Sequence, residues 1–162
     1  MTTEQPTSVG ATLAIGTTLL GALAVGMYSP ASLLLGLIGT VVLVIGVLLP
    51  RPGVMTTGST GLFVAAVTAG VEGAPVEAVM IAVVAAVVSW DVAQNAASLG
   101  RQVGSGTETT RSEAVHFAAS LGVGVIAGGV GYGVYLGMAG GYSATAVGFL
   151  VVGSLLVVLA LR

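Results

Sequence analysis

Residues 75–102 read PVEAVMIAVVAAVVSWDVAQNAASLGRQ, and this stretch decides the class of fold. Pro75 and Glu77 are residue types that favour the amino end of a helix. The segment from Pro75 to about Ser98 is mostly apolar and exceeds the length of about 20 residues that crosses the hydrocarbon core of a bilayer. It therefore predicts a transmembrane helix that carries Asp91, close to the only tryptophan, in its carboxyl-terminal half.

The composition of the whole chain points to the membrane as well. The 162 residues are 56% hydrophobic and 6% charged, and their mean hydropathy is +1.09. A soluble domain of this size carries about a quarter of charged residues to cover its surface. We therefore predict an all-α, polytopic membrane helical bundle, a multi-pass protein of the cell membrane whose main partner is the lipid bilayer.

Six segments have the length and hydropathy of transmembrane helices, within a single domain over residues 1–162. They cover about 9–28, 30–49, 57–71, 75–98, 112–136 and 142–161, and residues 99–111 are predicted to form a cytoplasmic loop. Ser29 and Pro30 predict the start of the second helix, and Thr110 with Glu113 has the capping-box spacing that starts the fifth. The third segment is short and rich in Thr and Gly, so its length leaves open whether it fully spans.

The arginines predict the orientation of the six spans. Arg51, Arg101, Arg111 and Arg162 all fall on one side of the membrane if every segment spans. Positive side chains accumulate in cytoplasmic loops, so we expect both termini in the cytoplasm. The start, MTTEQPTSVG, has no basic residue, and the first apolar run is therefore predicted to be a retained helix rather than a signal peptide.

Polar residues on the fourth and fifth helices predict a seam between them. An ionised carboxylate that faces lipid in mid-helix costs about 3 kcal/mol, so Asp91 is expected to face protein or a water-filled cleft. Folding the hairpin symmetrically places Asp91 beside Ser120 and Asn95 beside His116. The predicted seam consists of residues at helical spacing on each side, Asp91, Asn95 and Ser98 against Ser120, His116 and Glu113.

Three interpretations of this seam stay open. The favoured one is that its polar pairs hold two helices in register, to which each such pair contributes about 0.6 to 2 kcal/mol. A second is a proton- or ion-handling site of Asp91 with His116, because ionisable groups inside membranes deserve that hypothesis by default. A third is a docking surface for a partner, formed by the polar stripe and the Arg101–Arg111 loop. The direction in which the stripe faces distinguishes them.

Small residues on the fifth helix predict close packing. Two ridges recur at intervals of four residues, Ser120, Gly124 and Gly128 on one and Gly129, Gly133 and Gly137 on the other. Such ridges let helix backbones approach closely in membranes. We therefore expect the fifth helix to be central. The pattern does not distinguish packing within the chain from self-association.

The hairpin between the fourth and fifth helices also carries a resemblance. WDVAQNAASLGRQ followed by TRSEAVHFAASLGVG resembles an uncharacterised family of small haloarchaeal multi-helix membrane proteins. Members of that family are often encoded near MoxR-type AAA+ ATPases and membrane proteins with von Willebrand or transglutaminase-like domains. The resemblance covers the chain in length and hydropathy and implies a membrane complex. It implies no catalytic residues.

Several function classes are not expected. The chain has no Cys and a single His, which excludes thiolate and multi-histidine metal sites, and four scattered Arg form no nucleic-acid-binding patch. The sequence shows no nucleophile–base motif, so we expect neither an enzyme nor a cofactor. We predict a non-catalytic structural or assembly subunit of a membrane complex, with another membrane protein or a second copy as partner. The alternative is a small oligomeric transporter or channel that uses the Asp/Asn/His seam.

Overall fold

The computed structural model describes residues 7–103 and 109–137, which form five helices and their connections. The helices are α1 (Ser8–Gly26), α2 (Pro30–Leu48), α3 (Pro52–Val71), α4 (Val76–Val103) and α5 (Thr110–Gly137). All five are long and apolar enough to cross a membrane. The described ranges contain no strand, so the prediction of an all-helical protein with several apolar, membrane-length helices is confirmed. The predicted sixth span, 142–161, lies outside them.

The ends of α2 and α3 follow from local capping. The side chain of Ser29 accepts a hydrogen bond of 2.9 Å from the N–H of Ser32, and Pro30 occupies the first turn, as predicted. Helix α3 begins at Pro52 rather than near Thr57 and has 20 residues. The hydroxyls of Thr56 and Thr57 donate to the carbonyls four residues earlier, so these polar residues continue the helix without an unpaired hydroxyl.

Helices α4 and α5 extend into the segment predicted as a loop. Helix α4 continues through Gly100 to Val103, because a single glycine costs a helix only about 1 kcal/mol. Helix α5 starts at Thr110, but its N-cap is Thr109, one residue before the predicted cap. The carbonyl of Thr109 accepts a 3.0 Å hydrogen bond from the N–H of Glu113, and its hydroxyl donates to the Glu113 carboxylate.

The chain divides into two compact units, Met1–Gly129 and Val130–Arg162. In the first unit α1 packs on α2 and α4, and α3 packs on the same two helices, so α1 to α4 surround a common core. Their short connections make consecutive helices antiparallel. Of the second unit the structure describes the last turns of α5, where the rings of Tyr132 and Tyr135 stack with their centroids 6.2 Å apart.

The closest backbone approach lies between α2 and α3. A Cβ atom added to Gly39 would lie 2.7 Å from the carbonyl oxygen of Gly58, and one added to Gly46 would lie 2.6 Å from the backbone nitrogen of Met55. Only glycine allows two helix backbones to come this near, as in other tightly packed membrane helices. Leu43, Met55 and Leu62 fill the space around the contact and are fully buried.

Helix α5 is not the packing centre of the first unit as the structure describes it. Glu113 is its only buried residue there. Of the predicted ridges, Gly124 and Gly128 lie against Val84 of α4, whereas an added Cβ on Gly129 would meet open space. Gly133 and Gly137 belong to the second unit, and their role stays a prediction. The spacing of small residues predicts a surface that permits close approach, but it does not specify which helix approaches it.

Candidate functional site

Asp91, His116 and Ser120 meet where α4 contacts α5. The hydroxyl of Ser120 donates to Oδ2 of Asp91, and Nε2 of His116 lies 2.8 Å from the same oxygen. His116 and Ser120 are four residues apart and therefore share a face of α5. The structure thus brings together three of the six seam residues. Ser120 lies beside Asp91, as folding the hairpin predicts, whereas His116 contacts Asp91 rather than Asn95.

The geometry of the histidine contact differs from that of an ordinary hydrogen bond. Nε2 of His116 is enclosed, yet it has no hydrogen bond of good alignment despite the short separation from Asp91. The side chains of His116 and Asp91 are nonetheless 35% and 39% exposed. The pair is therefore neither sealed between helices nor turned wholly outward, and its attraction depends on the charge of the imidazole.

Glu113 does not join this contact, which corrects the predicted seam. Its buried carboxylate, 3% exposed, accepts hydrogen bonds from the hydroxyl of Thr7 at 2.6 Å and from the backbone N–H of Gly10. Thr7 is the N-cap of α1, but its side chain makes no cap hydrogen bond to its own helix. The first-turn N–H groups of α1 need acceptors, and a carboxylate at a helix amino terminus is stabilised by the helix dipole as well. Glu113 therefore fastens α5 to α1.

Two other predicted seam residues also make no hydrogen bond to α5 in the part of the chain that the structure describes. Ser98 accepts a 3.0 Å hydrogen bond from Gln102 of its own helix. Asn95 is half-buried. The contact between α4 and α5 is therefore shorter than the predicted seam and is concentrated in the turn around Asp91.

A second polar contact lies between α3 and α4, and the sequence analysis did not predict it. Nε1 of Trp90 donates to the hydroxyl of Thr56 at 3.0 Å, and the side chain of Gln94 donates to the carbonyl of Pro52 at 3.1 Å. The hydroxyls of Ser59 and Ser89, both buried, lie 3.5 Å apart. The signal was the spacing of Trp90 and Gln94, which places them together on a helix face beside the Asp91 stripe.

An apolar groove of about 410 Å³ lies between α1, α4 and α5 in the first unit. Its lining is almost entirely hydrocarbon, drawn from Leu20, Met80, Ile81, Val84, Ala85, Leu121 and Val125 together with Thr17, Gly128 and Gly129. The hydroxyl of Thr17 donates to the carbonyl of Leu13 and so has its own partner. This groove offers no polar path for an ion.

Metal binding has no candidate site in residues 7–103 and 109–137. No three Asp, Glu or His side chains converge there in a way that could hold a metal ion. Asp91 and His116 supply only two ligands. Any chemistry of the α4–α5 contact in this part of the chain is therefore that of one carboxylate, one imidazole and one hydroxyl.

Comparison with known proteins places the chain in a family without assigning it an activity. Residues 4–158 match the family of unknown function DUF7519, a range that includes all five helices. No curated protein and no solved structure matches. Because the family match covers almost the entire sequence, this protein belongs to DUF7519, a family of unknown function.

Proposed function

We propose that this chain is a non-catalytic structural or assembly subunit of a membrane complex. The observation that carries the proposal is that two carboxylates, those of Glu113 and Asp91, make hydrogen bonds between helices. Glu113 joins α5 to α1, and Asp91 joins α5 to α4, so both carboxylates hold helices to one another. Interhelical polar contacts of this kind fix the register of a membrane bundle.

The proposal includes a six-span, multi-pass arrangement in the cell membrane, with residues 142–161 as the last span and both termini in the cytoplasm. The one-sided placement of the four arginines supports this orientation. The resemblance of the α4–α5 hairpin to haloarchaeal membrane proteins supports a membrane partner. A complex associated with a MoxR-type AAA+ ATPase is the assembly that this resemblance implies.

The arrangement of Asp91, His116 and Ser120 supports a non-catalytic role, although serine hydrolases use the same residue types. In a catalytic triad the histidine accepts the serine proton and the carboxylate orients the histidine. Here the hydroxyl of Ser120 donates to Asp91 directly, and His116 contacts the same carboxylate oxygen. The Ser120 hydroxyl is therefore paired with the carboxylate and not with the imidazole, which differs from the order of a catalytic triad.

A small oligomeric transporter or channel is the second candidate. The observation that favours it is the partial exposure of both His116 and Asp91. A transported ion would need a polar path to this pair, which neighbouring copies of the chain would have to supply. The two candidates make opposite predictions for the Asp91 carboxylate.

Substituting Asp91 separates the two candidates. Asp91→Asn keeps an oxygen that accepts from Ser120, so in the structural role it should leave thermal stability in detergent and complex assembly nearly unchanged. Asp91→Leu should lower the free energy of unfolding by about 1 to 2 kcal/mol, because it leaves polar groups without partners. A transporter would instead lose function in Asp91→Asn while keeping its stability.

Membership of a complex is tested in the native membrane. The tagged full-length chain, solubilised in mild detergent, should run by native mass spectrometry as a defined assembly of fixed stoichiometry. Deleting the gene should lower the membrane abundance of the co-purified subunits, and re-expression should restore it. A chain that runs alone, with all neighbouring membrane proteins unchanged on deletion, would contradict the proposal.

A further inference from the structure

We propose that Asp91, His116 and Ser120 form a proton-binding site that controls how firmly α5 is held to α4. We name these three residues the proton clasp. With a proton on the imidazole of His116, the clasp is closed, and when that proton leaves for water the clasp loosens. The inference concerns the conformation of α5 and is independent of whether the chain is a subunit of a complex.

The geometry of the clasp makes its strength depend on charge. Nε2 of His116 lies 2.8 Å from Oδ2 of Asp91 without a well-aligned hydrogen bond, and the Ser120 hydroxyl donates to that same oxygen. A neutral imidazole gains little from such a contact. An imidazolium gains the attraction of the carboxylate, and charge-assisted contacts are about twice as strong as neutral ones. Because both side chains are partly exposed, this chain leaves one edge of the contact open, and the proposed proton exchange takes place there.

The remainder of α5 in the first unit makes few contacts with the other helices, so the clasp accounts for much of the attachment of α5 to α4. Glu113 fixes the start of the helix on α1. Beyond the clasp, α5 has no buried residue in the first unit, and it approaches α4 where Gly124 and Gly128 lie against Val84. The apolar groove of about 410 Å³ separates it from α1. The clasp therefore lies between an anchored first turn and a loosely packed middle. Opening it would release the middle while the start stays in place.

Among the described residues, Asp91 is the ionisable group that faces His116 from another helix. Histidine is the side chain whose charge ordinarily changes between about pH 5 and pH 8. Helix α1, Ser8–Gly26, contains no ionisable side chain. On α4, Asp91 is the facing group, and Glu77 and Arg101 lie near the helix ends. On α5, the Glu113 carboxylate is bound to α1, and Arg111 is exposed in the first turn.

Distance measurement between spin labels tests the clasp. The chain has no native cysteine, so Val87→Cys on α4 and Val123→Cys on α5, both at exposed positions, can be labelled selectively. The full-length protein in lipid nanodiscs is measured by double electron–electron resonance at about pH 5 and about pH 9. We expect a narrow distance distribution at the lower pH and a longer, broader one at the higher pH. Identical distributions would overturn the proposal.

Variants show whether the clasp itself carries the effect. His116→Gln keeps a polar side chain but no titratable charge, so its distribution should be the broad one at both pH values. Asp91→Asn removes the opposite charge, so its distance distribution should be the same at both pH values, which keeps the test informative if one variant fails to fold. A shift that persists in both charge variants would overturn the proposal, as would a shift between Val41→Cys and Val64→Cys on α2 and α3.

Discussion

Glu113 caps the amino end of α1, because its carboxylate accepts a hydrogen bond from the N–H of Gly10 in the first turn. This acceptor ordinarily comes from a residue next to the helix. The Glu113 carboxylate accepts from Thr7, Gly10 and Thr109, so three donors from two segments converge on one buried side chain. The charge is stabilised by these donors and by the positive end of α1. A single residue thus caps one helix while it stabilises the start of another.

Removing this carboxylate should destabilise the protein more than removing an exposed one. Glu113→Ala leaves three donors without their acceptor and should lower the free energy of unfolding by about 2 to 3 kcal/mol, measured by denaturation in detergent micelles. Glu72→Ala is the matched control, because Glu72 is exposed at the end of α3. Its effect should stay within about 0.5 kcal/mol. Similar losses in the two variants would show that the Glu113 contacts contribute nothing specific.

The spacing of residues along the chain predicts contacts between adjacent helices but not contacts between distant segments. Helical periodicity and a short hairpin place Asp91 opposite Ser120 and one helical turn from His116, because both follow from adjacent segments of chain. The partner of Glu113 lies at the start of α1, more than 100 residues away. Spacing within α5 holds no information about that helix, so the carboxylate was assigned to the wrong neighbour.

At the scale of helices, α3 shows why low hydropathy concealed a helix that is long enough to cross a membrane. Three of its threonines, Thr56, Thr57 and Thr68, donate their hydroxyls to carbonyls four residues earlier. Its glycines allow the backbone of α2 to approach closely, and hydropathy scales do not measure this contribution to packing. The sequence predicted residues 57–71 of α3 and missed its first five residues. The threonines and glycines lower the hydropathy of this segment. The threonines make hydrogen bonds within α3, and the glycines allow it to pack closely on α2.

The contact between α2 and α3 should be sensitive to a single methyl group. An added Cβ on Gly58 would collide with the backbone of Leu43, so Gly58→Ala should lower the melting temperature in detergent by several degrees. Gly16→Ala is the control, because a Cβ at that position meets open space. Because alanine has a higher helix propensity than glycine, Gly16→Ala should leave the free energy of unfolding unchanged or raise it by up to about 1 kcal/mol. Equal melting temperatures for the two variants would contradict close packing at Gly58.

Helices α3 and α4 are joined by the hydroxyl of Thr56, which accepts from both Trp90 and Gln94. Thr56→Val should leave these two donors without that acceptor and lower the free energy of unfolding by about 1 kcal/mol. Trp90 is the only tryptophan, so its fluorescence emission reports the contact directly and should change wavelength. Thr57→Val removes a hydroxyl that bonds only within α3. An emission spectrum altered equally by both substitutions would argue against the Trp90–Thr56 bond.

At the scale of the whole molecule, composition alone predicted the helical class and the apolar character of the protein. A charged fraction of 6% cannot cover a water-facing surface, whatever the detailed fold. The arrangement of the helices was beyond such reasoning. Close packing was expected at α5, but in the described residues it occurs between α2 and α3, because glycine-rich surfaces occur on several helices and sequence does not pair them.

Orientation in the membrane is a whole-molecule property, and the arginines predict it. In a cell that expresses the full-length chain, Gln102→Cys should resist a membrane-impermeant maleimide added outside, whereas Glu72→Cys should react. Both positions are exposed, so accessibility within the protein does not limit labelling. After the cells are opened, both cysteines should react. Labelling of position 102 in intact cells would reverse the proposed topology.

The bond between Thr7 and Glu113 also sets an order of events during biosynthesis. The two residues are 106 positions apart, and ribosomes add about 5 to 20 residues per second. The acceptor for the first turn of α1 is therefore translated roughly 5 to 20 seconds after that turn. Until then the N–H of Gly10 has no Glu113 carboxylate to donate to. Synthesis of α5 therefore supplies an acceptor for the first turn of α1, the helix that was made first.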